Sequence, residues 1–158
     1  MFSFRKIRYG LWAIAGLIVI SLAFTPVTSA QSKNLKIGFS MALTGPLAGA
    51  GKAALIAMQI WKDDINKKGG LLGRQVEFKF YDDATSPSKV PGIYSKLLNV
   101  DKVDLVVSSY GTNEISPAMP IVMRKGLVFM SLFGLAVNDK FNYDRYFQIM
   151  PAGPIPKD

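Results

Sequence analysis

Three stretches of this chain gather hydroxyl groups and glycines, which let a backbone approach a small molecule and hydrogen-bond to it. They are residues 44–51 (TGPLAGAG), 108–113 (SSYGTN) and 131–134 (SLFG). In the second, the N–H groups of Thr112 and Asn113, with the Thr112 hydroxyl, form a donor set suited to a small carboxylate. The plainer alternative is local: Thr112 or Asn113 caps its own helix, and Gly51 shapes a turn. Residues 49–52 (GAGK) resemble a phosphate loop. However, Pro46 stands where that loop needs its first glycine, and Ala53 where it needs a magnesium-binding hydroxyl. Asp82 and Asp83 directly follow a strand, adjacent side chains point apart there, and no third ligand for a cation accompanies them. The start of a helix explains them better.

Composition removes much other chemistry. The 158 residues include no histidine and no cysteine. Without them the chain has no disulfide, no thiolate metal site and no Ser-His-Asp or Cys-His arrangement. Carboxylates, lysines and tyrosines remain, but no G-x-S-x-G elbow is present, so an α/β-hydrolase-like enzyme is the weakest reading. The formal charge is +8. Arg5, Lys6 and Arg8 belong to the first thirty residues, and later basic residues are scattered singly or in pairs without an aromatic ladder. That pattern fits a solvated basic surface and not a nucleic-acid partner.

The first thirty residues read as a signal peptide. A short basic start is followed by the uncharged apolar run 10–24 (GLWAIAGLIVISLAF) and by residues 25–30 (TPVTSA). Small residues at Thr28 and Ala30 suit cleavage after Ala30. The apolar run is shorter than the roughly 18–20 residues that span a bilayer comfortably; an uncleaved anchor is the alternative. The expected organisation is a signal peptide at 1–30 and a single α/β lobe at 31–158, exported to the periplasm.

Elements that could position the three loops alternate along residues 31–158. Strands are expected at 35–41, 75–81, 103–108, 127–131 and, more weakly, 146–150, with helices at 52–67, 86–99 and 112–125. On the first helix Ala54, Met58, Trp61 and Ile65 share one face. Ser86-Pro87 offers a cap for the second, although Pro91-Gly92 should delay or kink it; Pro117 and Pro120 crowd the third. Strand–helix alternation implies an α/β fold: a parallel sheet with helices on both faces. Ligands of such sheets bind beyond the carboxyl ends of the strands, which is where all three loops fall.

The runs KIGFSMALTGPLAGAGKAA, GGLLGRQVEFKFYDD, DKVDLVVSSYGT and KGLVFMS resemble the leucine/isoleucine/valine-binding protein family, the type I periplasmic solute-binding proteins of ABC transporters. The resemblance extends over residues 34–152. It implies the Rossmann-like first lobe of a two-lobed protein that clamps an amino acid or related small carboxylate and delivers it to a membrane permease. It also implies no enzyme activity and no cofactor or metal. With the second lobe absent, residues 31–158 alone are expected to bind weakly or not at all.

Carried over by position, the resemblance puts the Thr112 hydroxyl on the ligand's α-carboxylate and the Tyr110 backbone carbonyl on the ligand. Phe133 and Leu135 fall in a stretch that in the family usually reads Ser-Pro-Ala-Ala-Thr, where a backbone group and a Thr hydroxyl bind ammonium and carboxylate. Ala50 falls where an aromatic often packs on the ligand. Leu135 has no hydroxyl and Phe133 is bulky where a small residue is usual, which implies a ligand other than leucine: a different carboxylate or an aromatic acid. A ligand-sensing receptor domain on the same fold is the second reading, since fold does not decide between them.

Overall fold

The computed structural model describes residues 33–150. The expected signal peptide and its cleavage site lie outside the described residues. Five strands form one all-parallel sheet in the order β2-β1-β3-β4-β5: β1 Leu35–Met41, β2 Val76–Asp82, β3 Leu105–Val107, β4 Phe129–Ser131 and β5 Tyr146–Gln148. The alternation expected of a parallel α/β sheet is therefore observed, and β1 has the bounds its apolar run predicts. Its seven residues pair with β2 in unbroken register from Leu35 with Val76 to Met41 with Asp82.

Helix α1 spans Ala48–Lys67, α2 Val90–Asn99, α3 Thr112–Ile115 and α4 Met119–Arg124. Three helical expectations need correction. First, α1 starts four residues before the expected Lys52, because the small residues Ala48-Gly49-Ala50-Gly51 let its first turn lie close against β1. A side chain on Gly51 would collide with the Ala42 carbonyl, so this position needs glycine for close approach and not for a turn. Second, Ser86 does not cap α2. That helix begins at Val90 with Pro91 in its first turn, the one place where a missing N–H and a fixed φ cost nothing. Third, the single helix expected over 112–125 is broken. Pro117 and Pro120 interrupt the ladder, and a 3₁₀ turn at Ser116–Ala118 joins α3 to α4.

Alternation along β1 serves both faces. Gly38 and Ser40 face α2; a Cβ on Gly38 would lie 2.8 Å from Val103 and 3.2 Å from Leu97. The main core is on this side: Val90, Tyr94, Leu97, Val106, Ile115, Met119, Val122 and Phe129 are buried together. Tyr94 is fully buried, meets Phe129 edge-on at 5.7 Å and donates its hydroxyl proton to the Val107 carbonyl at 2.6 Å. Phe39 and Met41 face α1 instead, with Ala54. Phe39 stacks on Phe80 at 5.3 Å and meets Phe78 edge-on at 5.3 Å, while Trp61 stacks on Phe78 at 6.3 Å. The α1 face over β3, β4 and β5 carries no helix among the described residues. Leu105, Val128, Met130, Phe147 and Ile149 stay exposed there, and a groove of about 520 Å³ runs between α1 and all of these but Phe147.

Candidate functional site

At the carboxyl edge of the sheet the loops are built from backbone turns that side chains hold in place. Because Asp82 pairs with Met41, its carboxylate lies beside the chain leaving β1. It accepts hydrogen bonds from the N–H groups of Leu43 at 2.9 Å, Thr44 at 3.1 Å and Ala84 at 2.8 Å, and from the Thr44 hydroxyl at 2.6 Å. Desolvation pushes the Asp82 pKa up. The Thr44 hydroxyl and the three N–H groups together outweigh it and hold the carboxyl at about 2. Thr85 adds a second clasp, donating to the Thr44 carbonyl at 3.0 Å and accepting from the Leu47 N–H at 3.2 Å. The first loop is thus shaped by the one after β2.

Asp83 is fully buried and points the other way. It accepts from the Ser109 hydroxyl in a short hydrogen bond and from the Thr85 N–H at 3.0 Å. The two aspartates do point apart, as expected, but neither begins a helix, since Lys89 precedes α2. They anchor loops, a role the sequence reading missed along with those of Thr85, Ser108 and Ser109. Ser108, also buried, accepts from the Leu132 N–H at 3.0 Å and donates to the Ser109 carbonyl at 2.9 Å. The available signal was two acids and a run of serines, each directly following an apolar strand.

Of the five residues singled out from the sequence, four meet in two pairs. Tyr110 and Phe133 form a parallel bridge just beyond β3 and β4, with ring centroids 4.8 Å apart and planes tilted by 31°. The Thr112 hydroxyl accepts from the Leu135 N–H at 3.0 Å. Leu135 therefore contributes through its backbone despite lacking a hydroxyl. Thr112 does not cap its own helix: Gly111 holds that position, and its carbonyl accepts from Glu114 at 3.2 Å and Ile115 at 3.0 Å. At φ +106° Gly111 sits where side chains are strained, and a Cβ there would lie 2.5 Å from Glu114 Oε2 and 3.2 Å from Leu47. Ala50 stands apart from both pairs on the first turn of α1, half-buried.

What remains at this edge is a set of donors. Thr112 and Asn113 are exposed, and no other described residue accepts from their N–H groups. Having accepted from Leu135, the Thr112 hydroxyl still has its proton to donate. Glu114, two residues on, is 3% exposed with no ion pair among the described residues. Burial raises its pKa, its own backbone N–H opposes that, and the charge of Asp83 raises it further.

An edge with free N–H donors above an open parallel sheet is an arrangement for holding a small anionic molecule. The sequence pattern of the periplasmic binding protein family matches residues 34–154. The chain belongs to that family, which is one of binding proteins and not of enzymes. It is 31% identical over 121 residues to the Leu/Ile/Val-binding protein BraC3 of Rhizobium johnstonii, covering 77% of this chain and 32% of that one. It is 29% identical to the leucine-, isoleucine-, valine-, threonine- and alanine-binding protein of Pseudomonas aeruginosa, covering 78% and 31%. Among solved structures, the branched-chain amino acid transporter substrate-binding protein LivJ of Streptococcus pneumoniae, in complex with isoleucine, superposes with a TM-score of 0.68. There the identity is 25% and the coverage is 73% of this chain and 33% of LivJ. The chain spans about a third of the length of the relatives it matches.

Proposed function

We propose that this chain is the first lobe of the extracytoplasmic substrate-binding component of an ABC transporter, with a branched-chain amino acid or a related small carboxylate as ligand. On this reading residues 1–30 are a cleaved signal peptide, residues 31–158 act in the periplasm, and the partner that receives the ligand is a membrane permease. One observation carries it. The Thr112–Leu135 hydrogen bond ties the loops after β3 and β4 together, and the unengaged N–H groups of Thr112 and Asn113 lie beside that tie. A carboxylate there takes those two N–H groups and the Thr112 hydroxyl proton. The Tyr110 carbonyl, Phe133, Leu135 and Ala50 border it. The names of the relatives support the ligand class, and that of the LivJ structure supports the transport role.

Because closing two lobes around a ligand buries it from both sides, one lobe supplies part of the contact and is expected to bind in the millimolar range, not the micromolar. Ligand-observed NMR of the chain with leucine, isoleucine and small organic acids tests the site. Binding that weakens at least about threefold in Thr112→Val, which keeps the side chain's shape and removes both its donated proton and the tie to Leu135, supports the reading. Binding that is unchanged in Thr112→Val contradicts it. Fractionating cells that make the chain, then taking the intact mass, tests export; a periplasmic product beginning at Gln31 is the expected result.

A further inference from the structure

Basic residues that are scattered along the sequence are gathered by the fold at the edge opposite the ligand loops. All strands of a parallel sheet start at one edge, so the segments leading into them meet there: residues 33–34, 68–75, 100–104, 125–128 and 141–145. These segments carry six basic and three acidic residues, and Lys67 and Arg124 end the helices beside them. The segments leading out of the strands, 42–47, 83–89, 108–111 and 132–136, carry one of each, Lys89 and Asp83.

Side chains knit this amino edge into one surface. Arg74 donates to the Lys33 carbonyl at 2.6 Å and the Asn34 carbonyl at 2.8 Å, and pairs with Asp104 at 3.0 Å. Arg145 donates to the Gly126 carbonyl at 2.5 Å, and the Tyr143 hydroxyl to the Leu127 carbonyl at 2.7 Å. Of the three acids, Asp104 is held by Arg74 and Asp101 accepts from the Tyr81 hydroxyl at 3.0 Å. Lys33, Lys68, Lys102, Lys125 and Arg145 are exposed and have no acidic partner among the described residues. Helix C-termini favour cations, which accounts for Lys67, Lys68, Arg124 and Lys125. It does not account for Lys33, Lys102 or Arg145, nor for two large apolar side chains held in water at the same edge.

Those two are Leu72, 86% exposed, and Val100, 69% exposed. Leu72 stands in a two-residue turn closed by Leu71 and Arg74, each donating its N–H to the other's carbonyl. At φ +54° it occupies the left-handed region, where Asn or Gly sits at less cost, so the turn itself gains nothing from a leucine. Apolar tips among lysines suit a lipid surface: cations meet headgroup phosphates while apolar side chains enter the interface. A bilayer needs no matching shape, which fits tips carried on two separate segments. Phe141 and Tyr143, the aromatic residues of this edge, are half-buried and offer nucleic-acid bases no stacking platform.

We propose that the amino edge of the sheet docks on an anionic phospholipid bilayer, with Lys33, Lys68, Lys102, Lys125 and Arg145 toward the headgroup phosphates and Leu72 and Val100 entering between the headgroups. The ligand loops, at the other edge, then face away from the bilayer.

The chain has no cysteine, so Val100→Cys can carry a single environment-sensitive fluorophore, with Lys89→Cys at the opposite edge as its control. The full chain is titrated with vesicles of phosphatidylcholine alone and of phosphatidylcholine mixed with phosphatidylglycerol. Blue-shifted emission at position 100 with the anionic vesicles, and none at position 89, is the expected result. Combining Lys68→Gln, Lys102→Gln and Lys125→Gln is expected to weaken that binding at least about tenfold. None of those three side chains holds another described residue. Leu72→Asn, which suits the turn and removes the apolar tip, is expected to weaken it about threefold. The apolar run 10–24 is the same in every variant, so these differences report the edge and not that run. Should the triple variant fail to fold by circular dichroism, raised salt screens the same charges and supplies the comparison. No response at position 100, an equal response at position 89 or with neutral vesicles, or binding unchanged by both the charge variant and salt overturns the proposal. An equal response at position 100 to polyglutamate also overturns it, and assigns the edge to an acidic protein instead.

Discussion

Phe129 and Met130 are neighbours on a three-residue strand, yet the first is fully buried and the second 42% exposed. The contrast extends to the two faces of the sheet. One is closed by α2, α3 and α4; the other is covered by α1 over β1 and β2 and open over β3, β4 and β5. The handedness of parallel connections explains it. From β1 the chain steps to β2 in one direction, and from β2 through β3, β4 and β5 it steps in the other. Right-handed crossovers then place α1 on one face and every later helix on the opposite face. Where a side chain points is set by strand alternation; whether it is covered is set by the order of the strands.

Substitutions on either side of this contrast should differ widely in cost. Phe129→Ala, on the closed face, removes a buried ring in contact with Tyr94 and Tyr146 and is expected to destabilise by about 3–5 kcal/mol in urea unfolding. A cost below about 1 kcal/mol would mean that the closed face is less well packed than described. Tyr94→Phe keeps the ring and leaves the Val107 carbonyl without its donor, for an expected loss of about 1–2 kcal/mol.

Acid should weaken the edge where the two faces meet. Asp82 has its pKa lowered to about 2 in the folded chain, so the stability it contributes is fully present above its ordinary value and is lost as pH falls through about 2. After solvent screening of a partly exposed group the expected loss is about 1 kcal/mol between pH 4 and pH 2, absent in Asp82→Asn. The smallest effect is expected on the open face. Met130→Lys should change stability by less than about 0.5 kcal/mol, because the side chain already meets solvent. If it costs as much as Tyr94→Phe, that half of the face is covered in solution.

Much of this architecture was legible before the structure. The apolar runs and the glycines between them placed all five strands, because a period-two pattern bounded by turn residues has few other readings. Helix starts were less legible. Whether Gly49 and Gly51 form a loop or a helical turn depends on how close the Ala42 carbonyl comes, and that is a tertiary fact. The break in the third helix was foreshadowed by Pro117 and Pro120 but not its 3₁₀ form. At the candidate site, Thr112 and Tyr110 stood out by residue type and place. Their pairing with Leu135 and Phe133 depends on the strand register, which no local pattern encodes. The anchoring roles of Asp82, Asp83 and Thr85 were hidden for the same reason: their partners lie 26 to 41 residues away in sequence, or else depend on a turn that only the fold defines.

The central claim is that the carboxyl edge of this sheet binds a small carboxylate through the loops after β3 and β4. It is tested most directly by mapping backbone amide shifts of the ¹⁵N-labelled chain as benzoate or isoleucine is added. Saturable shifts concentrated at Thr112, Asn113 and Leu135 are the predicted result. Saturable shifts confined to the groove lined by Met130, Leu105 and Trp61, with Thr112 and Asn113 unmoved, would contradict it.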